Sequence, residues 1–250
     1  EFILFSRAFF AGILFNIANT LLVASSVFAG IVPTFMTVFG AGLIADQGIY
    51  SYEVIGDNTL LFFLSSLLLS SAIFWMFSLQ KILRFSVAKR TLTLSCIAGI
   101  FVGLFYPLFD RALDPKDVQK LNPTLASTFL GTGIVFCQGF LGPVLFKKPI
   151  FGHPLDFCSY FQAPYRHHIL GILGGVFWFV GLVLKLHAEN TPHELAIFFI
   201  VQTVPLVVFL YGIFLWKEIP KELHYNKSLV SILCLYSLGV LCMAYYRYGF

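Results

Sequence analysis

The sequence predicts an all-α, polytopic membrane protein, and composition is the first reason. Of its 250 residues, 58% are hydrophobic and only 11% are charged, and the mean hydropathy is +0.87. Soluble domains carry about 25% charged residues. The apolar residues are also gathered into long charge-free stretches, and a membrane-spanning helix needs roughly 20 such residues. Most of the chain is therefore predicted to lie within a bilayer.

The charge-free stretches set the predicted spans. The first one, Ala8–Ala45, is about twice the length of a single span and holds Ser25, Ser26, Gly30 and Pro33 near its centre. It therefore predicts two helices joined by a tight turn. The eight predicted spans cover residues 8–25, 27–45, 58–79, 91–109, 125–146, 168–187, 195–216 and 228–246.

The segment 147–167 is predicted to be a connecting loop, because it is rich in proline and aromatic residues. It divides residues 1–146, with five predicted helices, from residues 168–250, with three, inside a single integral membrane domain. Residue 1 is Glu, and no basic region precedes a short apolar core, so we expect no signal peptide. We expect instead a fragment whose N-terminus lies further upstream.

The distribution of Lys and Arg predicts the orientation, because cytosolic loops are enriched in these residues. Ten lie in one set of alternate loops and six in the other. The richer set includes the loop at residues 80–90, which we predict to be cytosolic, in a multi-pass protein of the plasma membrane or an endomembrane. The net charge of +4 is spread over several loops, so no nucleic-acid partner is expected.

Two parts of the chain resemble each other. "AGILFNIANTLLVASS" at Ala11–Ser26 is similar to "LGILGGVFWFVGLVLK" at Leu170–Lys185. Each is followed by a predicted span with a proline and a later glycine, namely Pro33 with Gly42 and Pro205 with Gly212. An odd number of spans separates the copies, which predicts an inverted repeat of the kind found in secondary transporters. Chance similarity between two apolar helices is the alternative.

The stretch "GGVFWFVGLVLKLHAENTPHELAIFFIVQTVPLVVFLYGIFLWKE" resembles a known family. It is similar to the last third of the ureide permease and glucose/ribose porter branches of the drug/metabolite transporter superfamily. The shared pattern is a Gly-Gly helix, a turn, Q-x-x-P-L-V, Gly-Ile and a final Glu. Here these residues are Gly174, Gly175, Gln202, Pro205, Leu206, Val207, Gly212, Ile213 and Glu218.

This resemblance implies ten helices built as two inverted five-helix repeats. Eight are visible here, so two more are expected upstream. It also implies transport of ureides, nucleobases, pentoses or hexoses. The long central loop of ureide permeases has no counterpart, since the corresponding segment "KILRFSVAKR" is short.

Polar residues within the spans are the candidate substrate contacts, because polar groups are costly in lipid unless they meet a partner or a cavity. Asn16 and Asn19 are three residues apart and share a helix face. They would bond either a solute or another helix. Gln202, beside Pro205, offers one acceptor and two donors. Trp178 and Thr203 complete the set, with helix packing as the alternative role for both.

Proline and glycine are assigned structural roles. Pro33 and Pro205 are expected to kink their helices, and Gly174, Gly175 and Gly212 to allow close helix contact. We expect Thr34 and Thr37 to bond back to their own helix. Glu218 is expected at the membrane interface, and the turn that includes Glu189 and His193 is expected in solvent.

No motif supports an enzyme. The chain has no CxxC pair, HExxH, GxSxG or P-loop motif, so no catalytic residue, metal or cofactor is predicted. No acidic residue lies deep in a predicted span, which favours a neutral solute. The coupling ion, a proton or none, is left open.

The predicted function is a secondary transporter of a small neutral polar metabolite that works by alternating access. The alternative is a multispan membrane protein without transport activity, such as a receptor-like or assembly subunit. An integral membrane enzyme is the third hypothesis. Solute and lipid bilayer are the expected partners.

Overall fold

The computed structural model describes residues 2–53, 59–82, 88–113, 121–154, 156–189, 194–218 and 227–249. Over these ranges the chain is helical and contains no strand. The helices are α1 (Phe2–Ala29), α2 (Ile31–Glu53), α3 (Thr59–Ile82), α4 (Ala88–Leu113), α5 (Pro123–Lys147), α6 (Phe157–Phe161), α7 (Tyr165–Glu189), α8 (Glu194–Gln202), α9 (Val204–Phe214) and α10 (Lys227–Tyr248).

The all-helical prediction is confirmed for the described residues, and seven stretches among them are long and apolar enough to cross a membrane. They are Phe2–Ala29, Thr59–Ser78, Lys89–Leu113, Pro123–Lys147, Tyr165–Ala188, Leu195–Phe214 and Lys227–Tyr248. The predicted second span is α2, a 23-residue helix. It is not among the seven, and Asp46 and Gln47 reduce its apolar character. The counts of eight and ten spans and the inverted repeat stay predictions.

The long first stretch divides into two helices, as predicted, at a single residue. Gly30 separates the end of α1 from the start of α2 and has a φ of +86°. Only glycine adopts this left-handed conformation without steric cost, so it allows the chain to leave one helix and enter the next within one residue. The predicted cytosolic segment at 80–90 includes residues 83–87, which lie outside the described residues, and its sidedness stays a prediction.

The two prolines expected to kink their spans act differently. Pro33 lies in the first turn of α2, where its missing N–H interrupts no helical hydrogen bond, so it helps to start the helix. Pro205 is the second residue of α9, and Thr203 is the single residue between α8 and α9. Since Pro205 has no N–H for the carbonyl of Val201, the helical hydrogen-bond series is interrupted there.

The chain divides into two compact units. The first comprises Glu1–Asn16 and Leu108–Ile197, and the second comprises Ile17–Pro107 and Phe198–Phe250. The predicted division at the connecting loop 147–167 stays a prediction.

In the first unit, α1 and α5 approach closely at two glycines. A side chain at Gly12 would overlap the carbonyl oxygen of Leu130, and one at Gly133 would overlap that of Phe9. Phenylalanine rings pack on either side of this contact, with ring centroids 4.6 Å apart for Phe5–Phe129 and 5.4 Å for Phe9–Phe136. Glycine removes the side chain that would separate the two backbones.

The connection between α5 and α7 contains the short helix α6, which the sequence analysis treated as loop. Rings of α6 pack against Phe146 near the end of α5, with centroid separations of 5.7 Å for Phe157 and 5.9 Å for Tyr160. Tyr160 also contacts His168 of α7 at 4.8 Å. The aromatic residues of this connection therefore join it to the helices on both sides.

In the second unit, α2 and α4 are in backbone contact through glycines. A Cβ at Gly99 would lie 2.7 Å from the carbonyl oxygen of Val38, and one at Gly103 would lie 2.6 Å from that of Gly42. On another face of α2, Gly40 lies beside Ile73 of α3 and Tyr236 of α10. Helix α2 is thus surrounded by other helices of its unit, and much of its surface is buried.

Gly133→Ala tests the backbone contact between α1 and α5. We expect it to lower the free energy of unfolding by about 1–3 kcal/mol, because the added methyl group has no space. Gly131, two residues away on the same helix, is the matched control, since no described atom lies within 4 Å of a Cβ added there. Thermal unfolding of both variants in detergent measures the difference. Equal stability of the two would contradict the contact.

Candidate functional site

The candidate residues of the sequence analysis are distributed over both units. Asn16 and Trp178 belong to the first unit, whereas Asn19, Gln202 and Thr203 belong to the second. The geometry of each unit is described separately below.

In the first unit, Asn16 has a protein partner. The residue is only 7% exposed, and its Nδ2 donates to the side-chain oxygen Oε1 of Gln138 on α5 at 3.1 Å. This geometry is the interhelical role that the sequence analysis left open beside solute binding. Gln138 was not predicted as its partner, although it is the one amide in the charge-free stretch 121–146 apart from Asn122.

Trp178 lies next to this amide pair through its contact with α1. Its indole stacks on the ring of Phe15, with centroids 4.2 Å apart and planes inclined by 26°. Phe15 directly precedes Asn16, so α1 brings the two first-unit candidates to adjacent positions. Gly174 and Gly175 of the same helix are exposed, and no described atom lies within 4 Å of a Cβ added to either. The close contact expected at these two glycines is not observed.

In the second unit, Gln202 ends α8 at the helix interruption. Its Oε1 atom is buried and has no hydrogen-bond partner among the described residues. Thr203, the next residue, is exposed, and its hydroxyl donates to the carbonyl of Ile200 at 2.6 Å. Thr203 is therefore satisfied locally, whereas the Gln202 oxygen is left to bond something else. Asn19 is exposed on α1.

Gln202 is one of several buried groups of this kind. Seven buried side-chain oxygens have no partner within the described ranges, and all seven lie in the second unit. They are Ser25 Oγ, Thr34 Oγ1, Gln47 Oε1, Ser66 Oγ, Ser95 Oγ, Gln202 Oε1 and Tyr236 Oη. Thr37 bonds back to the Pro33 carbonyl at 2.8 Å, as expected, but Thr34 does not. Sequence reasoning identified Gln202 and missed the other six as a group.

The start of α2 carries a contact that the sequence analysis did not predict. Both carboxylate oxygens of Glu218 accept from the Ile31 N–H, at 2.9 and 3.1 Å, and one accepts from the Val32 N–H at 3.1 Å. These N–H groups have no partner inside the helix, and a negative charge is favourable at a helix N-terminus. Glu218 therefore caps α2 from the far end of α9.

The local chain path explains how Glu218 reaches this position. After α9, Lys217 takes a left-handed φ of 53°, and the Glu218 N–H donates to the Gly212 carbonyl at 2.8 Å. This reversal is a common helix C-terminus. A side chain at Gly212 would overlap Val32, and a Cβ at Gly30 would lie 3.0 Å from Glu218 Oε2. The expected close contact at Gly212 is thus present, and Gly30 leaves room for the carboxylate.

A second charged contact lies further along α2. Arg247 of α10 approaches Asp46, with Nη1 3.3 Å from Oδ2. The Gln47 amide donates to the same oxygen at 3.3 Å. Because this bond fixes the amide nitrogen toward Asp46, the partnerless Oε1 of Gln47, a fully buried residue, is directed elsewhere.

The described residues contain no cluster of side chains that could bind a metal ion. No group of three or more His, Cys, Asp or Glu residues is placed there to hold an ion. His193, named with the solvent-exposed turn, lies outside the described residues, as does the side chain of Glu189. The polar interior of the second unit therefore offers hydrogen-bonding groups, mostly hydroxyls and amides.

Comparison with known proteins adds no family assignment: no protein-family model, no curated protein and no solved structure matches this chain.

The hydrogen bond between Asn16 and Gln138 is tested by a double-mutant cycle. Asn16→Leu and Gln138→Leu are each expected to destabilise the protein, and the double variant less than their sum. The coupling should be about 0.5–2 kcal/mol, as for other interhelical bonds in membranes. Unfolding in detergent measures it. Asn16→Leu combined with Thr132→Val, at an exposed residue of α5, should be additive; additivity in both cycles would contradict the bond.

Proposed function

We propose that this chain is a membrane carrier that moves a small neutral polar solute by alternating access. The observation that carries the proposal is the Gln202 Oε1 atom, buried without a partner where α8 gives way to α9. Lipid supplies no hydrogen-bond donor, and an unsatisfied buried polar group costs several kcal/mol in a fully apolar environment. A solute that donates to this oxygen would recover that cost.

The chemistry of the seven oxygens supports a neutral solute. Five are hydroxyls, which donate or accept, and the two glutamine oxygens only accept. None belongs to a carboxylate, and beside Gln47 the negative charge of Asp46 is offset by Arg247. A matching solute therefore presents N–H or O–H donors and needs no net charge. Ureides, nucleobases and sugars meet this description, and they are the solute classes implied by the family resemblance.

The helix interruption supports a role in transport for the same region. The backbone stays helical at Thr203, and Leu195–Phe214 is one candidate span, but a backbone carbonyl freed by a proline within a span can line a cavity. Thr203 separates α8 from α9, and Pro205 leaves the Val201 carbonyl without its helical donor. The Gln202 side-chain oxygen and the Val201 carbonyl oxygen are thus adjacent candidate acceptors for a solute. The Asn16–Gln138 pair is assigned to helix association instead.

Gln202→Leu is the test of this proposal. In proteoliposomes with a panel of labelled ureides, nucleobases, pentoses and hexoses, we expect the wild type to take up at least one class. The rate of solute uptake by the variant should be lower by roughly tenfold or more. A solute donor that loses its acceptor weakens binding by about 1–3 kcal/mol.

Thr203→Val is the matched control, because the Thr203 hydroxyl bonds its own helix. It should keep uptake within about twofold, which corresponds to a few tenths of a kcal/mol. A protein that transports nothing in the panel, and whose thermal unfolding no panel member shifts, would favour the non-transporting alternative. A Gln202→Leu variant with unchanged uptake would remove Gln202 from the site.

A further inference from the structure

Helix α2 is contacted at its start and again near Asp46, two turns before its last residue, by charged side chains from elsewhere in the second unit. The start contact joins Glu218, after α9, to the N–H groups of Ile31 and Val32. The end contact joins Arg247 of α10 to Asp46.

The start contact is the shorter of the two. Its hydrogen bonds measure 2.9–3.1 Å and use both carboxylate oxygens. A charged acceptor at a helix N-terminus combines hydrogen bonding with the favourable field of the helix dipole. The carboxylate is also the only side chain that satisfies these N–H groups among the described residues, since Gly30 has none to offer.

The end contact is longer and partly exposed. Arg247 Nη1 lies 3.3 Å from Asp46 Oδ2, and the two side chains are 27% and 17% exposed. Charge-assisted hydrogen bonds are typically about 2.7–2.9 Å long. The guanidinium also lies over the rings of Tyr50 and Tyr248, at 5.5 and 5.7 Å from their centroids. It can therefore leave Asp46 and keep a favourable aromatic contact.

The two contacts are far enough apart to lie at different depths in a bilayer. Ile31 and Asp46 are fifteen positions apart on one helix, which corresponds to about 22 Å at 1.5 Å per residue. The hydrocarbon core is roughly 30 Å thick. Each contact also lies close in sequence to a residue with a buried partnerless oxygen: Thr34 is two residues after Val32, and Gln47 directly follows Asp46.

We infer that the start contact and the end contact are two clamps on α2 that open alternately, one toward each side of the membrane. This inference rests on the carrier function proposed above. Alternating access requires that a path open on one side while it is closed on the other. Between the two contacts α2 packs closely against Gly99 of α4, near Val38 and Gly42. A rigid helix that tilts about this packing meets the requirement, because its two sides then move in opposite directions.

Hydrogen exchange of α2 in the reconstituted protein tests this coupling. In Glu218→Gln, we expect exchange over residues 31–36 to rise roughly tenfold, because the charged cap is lost, and exchange over residues 43–50 to fall. In Arg247→Gln, the two changes should be reversed. A purely structural role for either contact would raise exchange locally and leave the distant end unchanged or also faster, which would overturn the inference.

Two further variants serve as a control for charge removal and as a substitute if Glu218→Gln does not fold. Lys148→Gln removes a charge from the first unit and should alter neither end of α2. If Glu218→Gln does not fold, Glu218→Asp shortens the reach of the carboxylate, and Arg247→Gln reports the same coupling from the other end. Opposite responses at the two ends without uptake of any panel solute would support the clamps and reject the carrier function. Uptake with independent ends would reject the clamps alone.

Discussion

The second unit depends on how the first N–H groups of α2 are satisfied. Gly30, the one residue between α1 and α2, provides a left-handed turn but no capping side chain. Backbone N–H groups without a partner are costly in an apolar surrounding. Glu218, 187 positions beyond Ile31, provides the missing acceptors. The cap thus ties the C-terminal end of α9 to the start of α2, and Gly212 allows the close approach through its contact with Val32.

Close backbone contacts between α2 and α4 allow polar side chains of α2 to be buried within the protein. Because Gly99 and Gly103 bring α4 against α2 without intervening side chains, the polar groups on α2 are enclosed by protein and separated from lipid. Gln47 illustrates the consequence: it is fully buried, with its nitrogen on Asp46 and its oxygen without a partner. In the first unit a similar contact at Gly12 and Gly133 accompanies the satisfied pair of Asn16 and Gln138. Among the described residues, the buried side-chain oxygens without a partner all lie in the second unit, which is why we propose solute binding there.

The positions of the helices could be predicted from the sequence, but the hydrogen-bond partners of the polar residues could not. The charge-free stretches located the helices, and the small residues between Ser25 and Pro33 indicated that the first stretch divides. The predicted boundary at residue 26 nevertheless lies four residues before Gly30, where the helices separate. The start of α1 was misplaced because the first charge-free stretch begins after Arg7, whereas Arg7 lies within the helix and donates to the Arg111 carbonyl at 3.2 Å. Local signals placed Gln202 beside a helix interruption. They could not show that Asn16 meets Gln138, since residues so far apart in sequence share no pattern that a single chain reveals.

By itself, the sequence determined that this protein is a helical, multi-pass membrane protein, because apolar stretches of this length have few alternatives in water or lipid. It also identified Gln202 and Pro205 as a point where polarity and helix interruption coincide. Only the tertiary structure decided which polar groups are satisfied, because hydrogen bonds such as that between Asn16 and Gln138 depend on which helices are neighbours. It likewise decided that Glu218, expected at the interface, caps α2, because a carboxylate at the end of one helix acquires this role only when another helix begins beside it.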